Sequence, residues 1–178
     1  MIAACAVALA AVANAGTCYW GTDIETYVYK SGTNTKLGSA YTALLFDATA
    51  YDQTTLLADF RGDGYDSTKV LNTIGVAGGE IYDENGYTGL TANQNYKLYF
   101  AIIDSANDQI FITTDKPVSG PGENKSAEVY WNVGNASKAA ALETGYAGAG
   151  WYTAVPEPTS GLLLLLGVAG LALRRRRA

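Results

Sequence analysis

Thirteen consecutive uncharged residues, 161–173, run into four arginines, Arg174, Arg175, Arg176 and Arg177, just before the chain stops at residue 178. The stretch opens with Gly161, Leu162, Leu163, Leu164, Leu165 and Leu166 and closes on Leu173. As a helix it spans about 20 Å at roughly 1.5 Å per residue, short for a permanent bilayer crossing. Arginine side chains snorkel and bilayers thin locally, so a marginal, temporary span is feasible. A leucine run can also serve in a core and an arginine cluster as a solvated tail, but the two in this order point to a membrane-directed segment, which sets the limit on what the remainder folds into.

The opposite end is also apolar. Residues 1–15 read MIAACAVALAAVANA and close on Ala13-Asn14-Ala15. Small residues at −1 and −3 are what signal peptidase accepts, so the sequence predicts a signal peptide cut between Ala15 and Gly16. The usual basic residues at the start are missing, which points to a misplaced start codon. With the N-terminus exported, the arginine cluster would stay cytoplasmic by the positive-inside tendency.

Ahead of the apolar tail stands the triplet Pro156, Glu157, Pro158. Two prolines hold the backbone extended and deny it a helix, so a protease could read the strand before the membrane helix begins. Triplet, apolar span and arginine cluster, in this order, resemble the PEP-CTERM sorting signal, which membrane proteases called exosortases recognise and cut. The resemblance implies export, temporary anchoring in the inner membrane, cleavage near the triplet, and release or attachment at the cell surface. It also implies a Gram-negative host that makes extracellular polysaccharide, with signal peptidase, an exosortase and the membrane as partners. The organisation expected is a signal peptide at 1–15, a β-rich extracellular domain at 16–153 and the sorting signal at 154–178.

Between these ends, about 16–155, lie 140 residues, enough for one hydrophobic core and too few for two. Setting aside the four tail arginines and Glu157 leaves eight Lys and Arg against 16 Asp and Glu, a net charge near −8. Such a surface repels phosphate backbones, so nucleic acid is not an expected partner. The chain has no histidine, which removes Ser-His-Asp and Cys-His nucleophiles and most zinc and haem sites together. Of its two cysteines, Cys5 falls in the signal, leaving Cys18 alone, as a free thiol, an intermolecular bridge or simply a small residue.

Thirteen tyrosines and three tryptophans among many Thr, Asn, Gly and Asp residues give the composition of short strands and tight loops. The patterning predicts strands over 24–30, 39–47, 69–76, 96–104, 109–114, 127–133 and 150–155. Asn85-Gly86 within 81–87 predicts a hairpin with a type I′ turn, and 104–109 a second reversal. Helical patterning is confined to 53–60 and 137–143. The fold class expected is all-β: an antiparallel β-sandwich or jelly-roll-like domain.

Three kinds of site are candidates. Tyr27, Tyr29, Tyr96, Tyr99, Tyr130 and Trp131 could form a sugar-stacking platform, with Tyr99 and Trp131 as leading residues; strands use the same residues for packing. Asp59, Asp63 and Asp66 carry oxygen ligands of the kind calcium takes, but the EF-hand order is absent and a solvated turn is the simpler reading. The same loop contains Arg61-Gly62-Asp63, an adhesion triplet common by chance. Glu80, Asp83, Glu84, Glu123, Glu128 and Glu143 supply the residue type of a carboxylate glycosidase without any indication that two of them face each other. Asn124-Lys125-Ser126 and Asn135-Ala136-Ser137 have the form of glycosylation sequons.

The expectation is therefore a non-enzymatic exported protein of the surface or extracellular matrix, without catalytic residues, cofactor or metal site. The alternatives are a carbohydrate-binding module for exopolysaccharide and a small glycosidase.

Overall fold

A computed structural model of the protein describes residues 16–62 and 64–154. The predicted signal cleavage at Ala13 and Ala15, Asp63, and the tail with Pro156, Glu157, Pro158, Gly161 to Leu173 and Arg174 to Arg177 lie outside the described residues.

Among the described residues eight strands and two short α-helices follow in the order β1 Thr17–Thr22, β2 Thr42–Asp47, α1 Gln53–Arg61, β3 Asn72–Gly75, β4 Asn95–Asp104, β5 Gln109–Ile112, β6 Lys116–Ser119, β7 Ser126–Trp131, α2 Gly134–Lys138 and β8 Gly150–Thr153. The chain is β-rich and its main sheet antiparallel, as expected. That sheet holds six strands in the order β3-β2-β4-β5-β8, with β6 also on β4. Its axis is β4, whose ten residues include an apolar run, LYFAI, buried on successive positions rather than alternate ones. A strand buried on both faces reads this way.

Both faces are in fact covered. Ala43, Leu45, Leu98, Phe100, Ile102, Phe111 and Trp151 point into one core, where they meet Cys18, Trp20, Ile81, Val129 and Trp131. Leu44, Phe46, Tyr99, Ala101, Ile110, Ile112 and Tyr152, the alternate set, point into a second core closed by Tyr51, Leu56 and Leu57 at helix α1. Asp52 starts that helix by accepting the Thr55 N–H at 2.7 Å, an N-cap that supplies one of the helix's orphan donors with an acceptor.

The smaller β layer is a parallel pair, β1 with β7, in register from Thr17 opposite Ser126 to Thr22 opposite Trp131. Parallel pairing runs against the all-antiparallel expectation; almost the whole domain serves as the crossover between the two strands. The β layers oppose each other as in a sandwich, but unequally, six strands against two.

β5 and β6 follow each other along one side of β4 as a track bent by a bulge. Leu98 pairs with Lys116 and Ala101 with Ile112, so two residues of β4 face three on the other side. Thr113 holds the bend: its Oγ1 accepts the Phe100 N–H at 3.0 Å and donates to the Phe100 carbonyl at 3.1 Å. Pro117 sits in β6, where the free edge needs no N–H.

Three local expectations are corrected. The 24–30 segment is no strand: Glu25 takes a φ of 59°, which breaks extended structure, and Ile24 projects into solvent, 89 % exposed. The 81–87 segment is not a hairpin, since both arms lie antiparallel to β1, Gly21 beside Tyr82 and Cys18 beside Tyr87. It bulges between them, where the Asp83 carboxylate accepts the N–H groups of Asn85 at 3.2 Å and Gly86 at 2.9 Å; only Gly86 of the Asn-Gly pair has positive φ, so the turn is not type I′. The second helix begins and ends earlier than expected. The 104–109 reversal does form, pairing Asp104 with Gln109.

Candidate functional site

The sugar platform expected at Tyr99 and Trp131 does not exist on the surface. Tyr99 is fully buried, its hydroxyl donating to the Tyr51 carbonyl at 2.8 Å. Trp131 is 2 % exposed and donates through Nε1 to the Thr114 carbonyl at 2.8 Å. Neither offers a ring face to a ligand. Tyr27 and Tyr29 are half-buried with their rings already occupied, by the Lys36 ammonium 2.9 Å from the first centroid and the Lys138 ammonium 4.5 Å from the second. Tyr96 packs against the first core, and its hydroxyl accepts the Thr91 N–H at 2.8 Å.

Tyr130 alone of the proposed set turns outward in the small β layer, between the inward Val129 and Trp131. Its partner is Tyr82. The two rings lie 6.4 Å apart at 16° to one another, and Tyr82 is 56 % exposed. Gly21 explains the pairing: it stands in register between Tyr130 and Tyr82 on the intervening strand β1. Having no side chain there, it lets rings from the two flanking tracks lean together, as aromatic residues do over a strand glycine. The glycine is obligatory for a second reason, because a Cβ at that position would collide with the Ile81 carbonyl.

This tyrosine pair forms part of a cleft of about 590 Å³ whose lining includes the exposed carboxylates Asp23, Glu25, Glu80 and Glu128. The Asp23 N–H donates to the Trp131 carbonyl at 2.9 Å and the Thr26 N–H to the Asp23 carbonyl at 2.9 Å, fixing the turn that carries Asp23, Ile24 and Glu25 at the cleft mouth. Burial, then the neighbouring Glu128 charge, pushes the Tyr130 hydroxyl above its ordinary pKa, so it stays a neutral donor. Lys116 lies close by but is engaged, its ammonium donating to the Tyr130 carbonyl at 2.5 Å.

The other carboxylates are dispersed. Asp83 is buried as the acceptor for Asn72 Nδ2 at 2.7 Å and the two backbone groups of its bulge. Glu84, Glu123 and Glu143 are exposed and do not line the cleft. In the acidic loop, Asp59 accepts the Tyr51 hydroxyl at 2.6 Å and Asp66 caps a short 3-10 turn through Thr68; among the described residues no group of three or more His, Cys, Asp or Glu is placed to hold a metal ion. Arg61, read as part of an adhesion triplet, is a staple: Nε donates to the Thr153 carbonyl at 3.0 Å, and the guanidinium reaches the Glu143 and Thr144 carbonyls at 2.9 Å each. Cys18 is buried, which excludes an intermolecular disulfide in the folded domain.

The last described strand leads directly into the tail. β8 is tied on both sides: to β5 through its sheet pairing and to Leu142 through the Thr153 N–H at 3.0 Å. The Ala154 N–H then donates to the Asp108 carbonyl at 2.6 Å, two residues before Pro156. From residue 154 to residue 177 the chain matches the family model for the PEP-CTERM protein-sorting motif. The chain carries a PEP-CTERM sorting motif. The motif implies an exported protein that is membrane-anchored and then processed by an exosortase. The match is confined to the tail and assigns nothing to the folded domain. No curated protein and no solved structure matches the chain. Among the described residues no helix is long and apolar enough to cross a membrane.

Sequence reasoning missed Tyr82, Gly21 and the cleft. The signal was available for Tyr130: adjacent strand residues point to opposite faces, so Tyr130 and Trp131 cannot share a platform. Tyr82 was not legible, because its segment's place beside β1 depends on a contact about sixty positions away in sequence.

Proposed function

We propose that this protein is a non-enzymatic component of the envelope or extracellular matrix of a Gram-negative bacterium, delivered by exosortase sorting. The observation that carries the reading is the PEP-CTERM motif starting at residue 154, directly after strand β8. In this reading Pro156, Glu157 and Pro158 are the recognition triplet, residues 161–173 the temporary anchor and Arg174 to Arg177 the cytoplasmic stop, with cleavage by signal peptidase at the other end. A PEP-CTERM tail placed this close to a hydrogen-bonded strand leaves little slack, so processing would act on a domain held near the membrane surface. Intact-mass analysis of the extracellular form tests it by reporting both cut sites together. Replacing the four arginines with Glu should reduce processing and retention; an unchanged product would refute the assignment.

A second reading, exopolysaccharide binding, is favoured by the pairing of the exposed Tyr82 ring with the half-buried Tyr130 ring in the cleft. Flat aromatic faces stack on the CH faces of pyranose rings, and the cleft volume lies in the usual range for small-molecule sites. Glycoside hydrolysis is not favoured. A retaining or inverting pair needs one carboxyl kept protonated by burial or apolar contact, and the four carboxylates of the cleft are exposed.

A further inference from the structure

Resting on the glycan-binding reading, we propose that the cleft between Tyr82, Tyr130 and the Asp23–Glu25 turn selects a cationic glycan, one whose pyranose units carry protonated primary amines.

Charge carries the selection. Asp23, Glu25, Glu80 and Glu128 line the same cleft as the ring pair, and no Lys or Arg is among the lining residues. The nearby Lys116 ammonium is held by the Tyr130 carbonyl. A glycan bearing uronate, sulfate or pyruvate groups would meet like charge in the cleft, which disfavours association. An amine-bearing sugar meets the cleft's carboxylates together with the Tyr82 and Tyr130 rings, and an ammonium within about 6 Å of a tyrosine centroid is attracted to the ring.

The domain itself supplies the comparison. Tyr27 and Tyr29 each already host a lysine ammonium over the ring face. Tyr82 and Tyr130 sit in a more acidic surrounding and have no such partner among the described residues. The same ring chemistry that elsewhere is satisfied within the chain is here turned outward.

A basic polypeptide is the competing cation, and the topology disfavours it. Extended peptides bind sheets by adding a strand to a free edge, but β1, beneath the rings, is bordered by β7 on one side and the 81–87 segment on the other. What remains at the cleft is side-chain recognition in a bounded volume of about 590 Å³, suited to a few sugar units.

Calorimetric titration of the full-length chain at about pH 6, above the ordinary range of Asp and Glu, tests this with three probes: glucosamine oligomers, N-acetylglucosamine oligomers of equal length, and oligolysine. The glucosamine oligomers should bind at least about tenfold more tightly than the other two, with an affinity that falls as salt is added. Tyr82→Ala and Tyr130→Ala should each weaken binding about fivefold or more. Glu80→Gln with Glu128→Gln, both exposed and without a role in packing, should weaken binding and flatten its salt dependence at unchanged melting temperature. Equal binding of the N-acetylated oligomers, abolished by the tyrosine substitutions, would overturn the cationic selection and leave glycan binding standing. Binding of neither glycan would overturn both. Oligolysine binding as tightly as the amino sugar would overturn the glycan in favour of a basic polypeptide.

Discussion

The three tryptophans occupy equivalent core environments with unequal polar accounts. Trp151 Nε1 donates to the Tyr29 carbonyl at 3.0 Å and the Ser137 carbonyl at 2.9 Å, whereas Trp20 Nε1 is buried and finds no acceptor among the described residues. Leaving a buried acceptor unpaired costs about 1–3 kcal/mol, while removing an unpaired donor relieves a cost. Trp151→Phe should therefore destabilise the domain by about 1–3 kcal/mol more than Trp20→Phe in urea unfolding, although the volume removed is the same. Cys18 gives a second test at this scale. Burial, reinforced by the Asp83 charge, pushes its thiol from 9.0 up to about 11. The folded state thus favours the protonated thiol, and this contribution is fully present below pH 9 and lost as the pH rises from there through the folded value. At pH 8 iodoacetamide should leave Cys18 unmodified in the native protein and alkylate it in urea, read by peptide mapping; rapid labelling without denaturant would contradict its burial.

Among the elements, those legible in the sequence are the ones whose own residues decide them. The β4–β5 pair and α1 follow from dense apolar runs, a reversal at 104–109 and a capping aspartate, and each forms close to its expected place. β1 and β6 escaped notice because Gly21 and Pro117 weaken their local signal, and both strands owe their form to partners, β7 and β4 respectively. The 24–30 segment has a strand's composition and no strand's partner. The bulge opposite Phe100 is likewise a product of pairing, and Thr113 is its fastening. Thr113→Val, nearly the same in shape, removes both Oγ1 hydrogen bonds and leaves the Phe100 N–H without that acceptor. It should cost about 1–3 kcal/mol, visible as a lowered urea midpoint with little change in slope.

On the scale of the molecule, Arg61 joins three separate stretches. It projects from the end of α1 to the Thr153 carbonyl of β8 and to the 142–144 loop, securing the strand from which the PEP-CTERM tail departs. Charged hydrogen bonds of this kind contribute about 1.5–3 kcal/mol in other proteins; Arg61 is partly exposed, so the lower end applies. Arg61→Ala should speed amide exchange at Trp151 and Thr153 well before it affects β4, and uniform acceleration across the sheet would contradict a local clamp. The acidic excess of the domain acts at the same scale, setting the sign of what the cleft attracts while leaving the fold to the apolar cores.

The address of this protein was written in contiguous residues: a proline-flanked glutamate, an uncharged run and an arginine cluster act through their own stiffness, hydrophobicity and charge, so reading them needed no fold. The β-rich class was legible for a similar reason, since strand formers and turn formers announce themselves within a few residues. The surface could not be read that way. Tyr99 and Tyr130 look alike in sequence, yet α1 closes over one while the other stays half-buried at the lining of the cleft. Which aromatic ring faces solvent is decided by what packs on each side of its sheet, and that depends on contacts between residues dozens of positions apart.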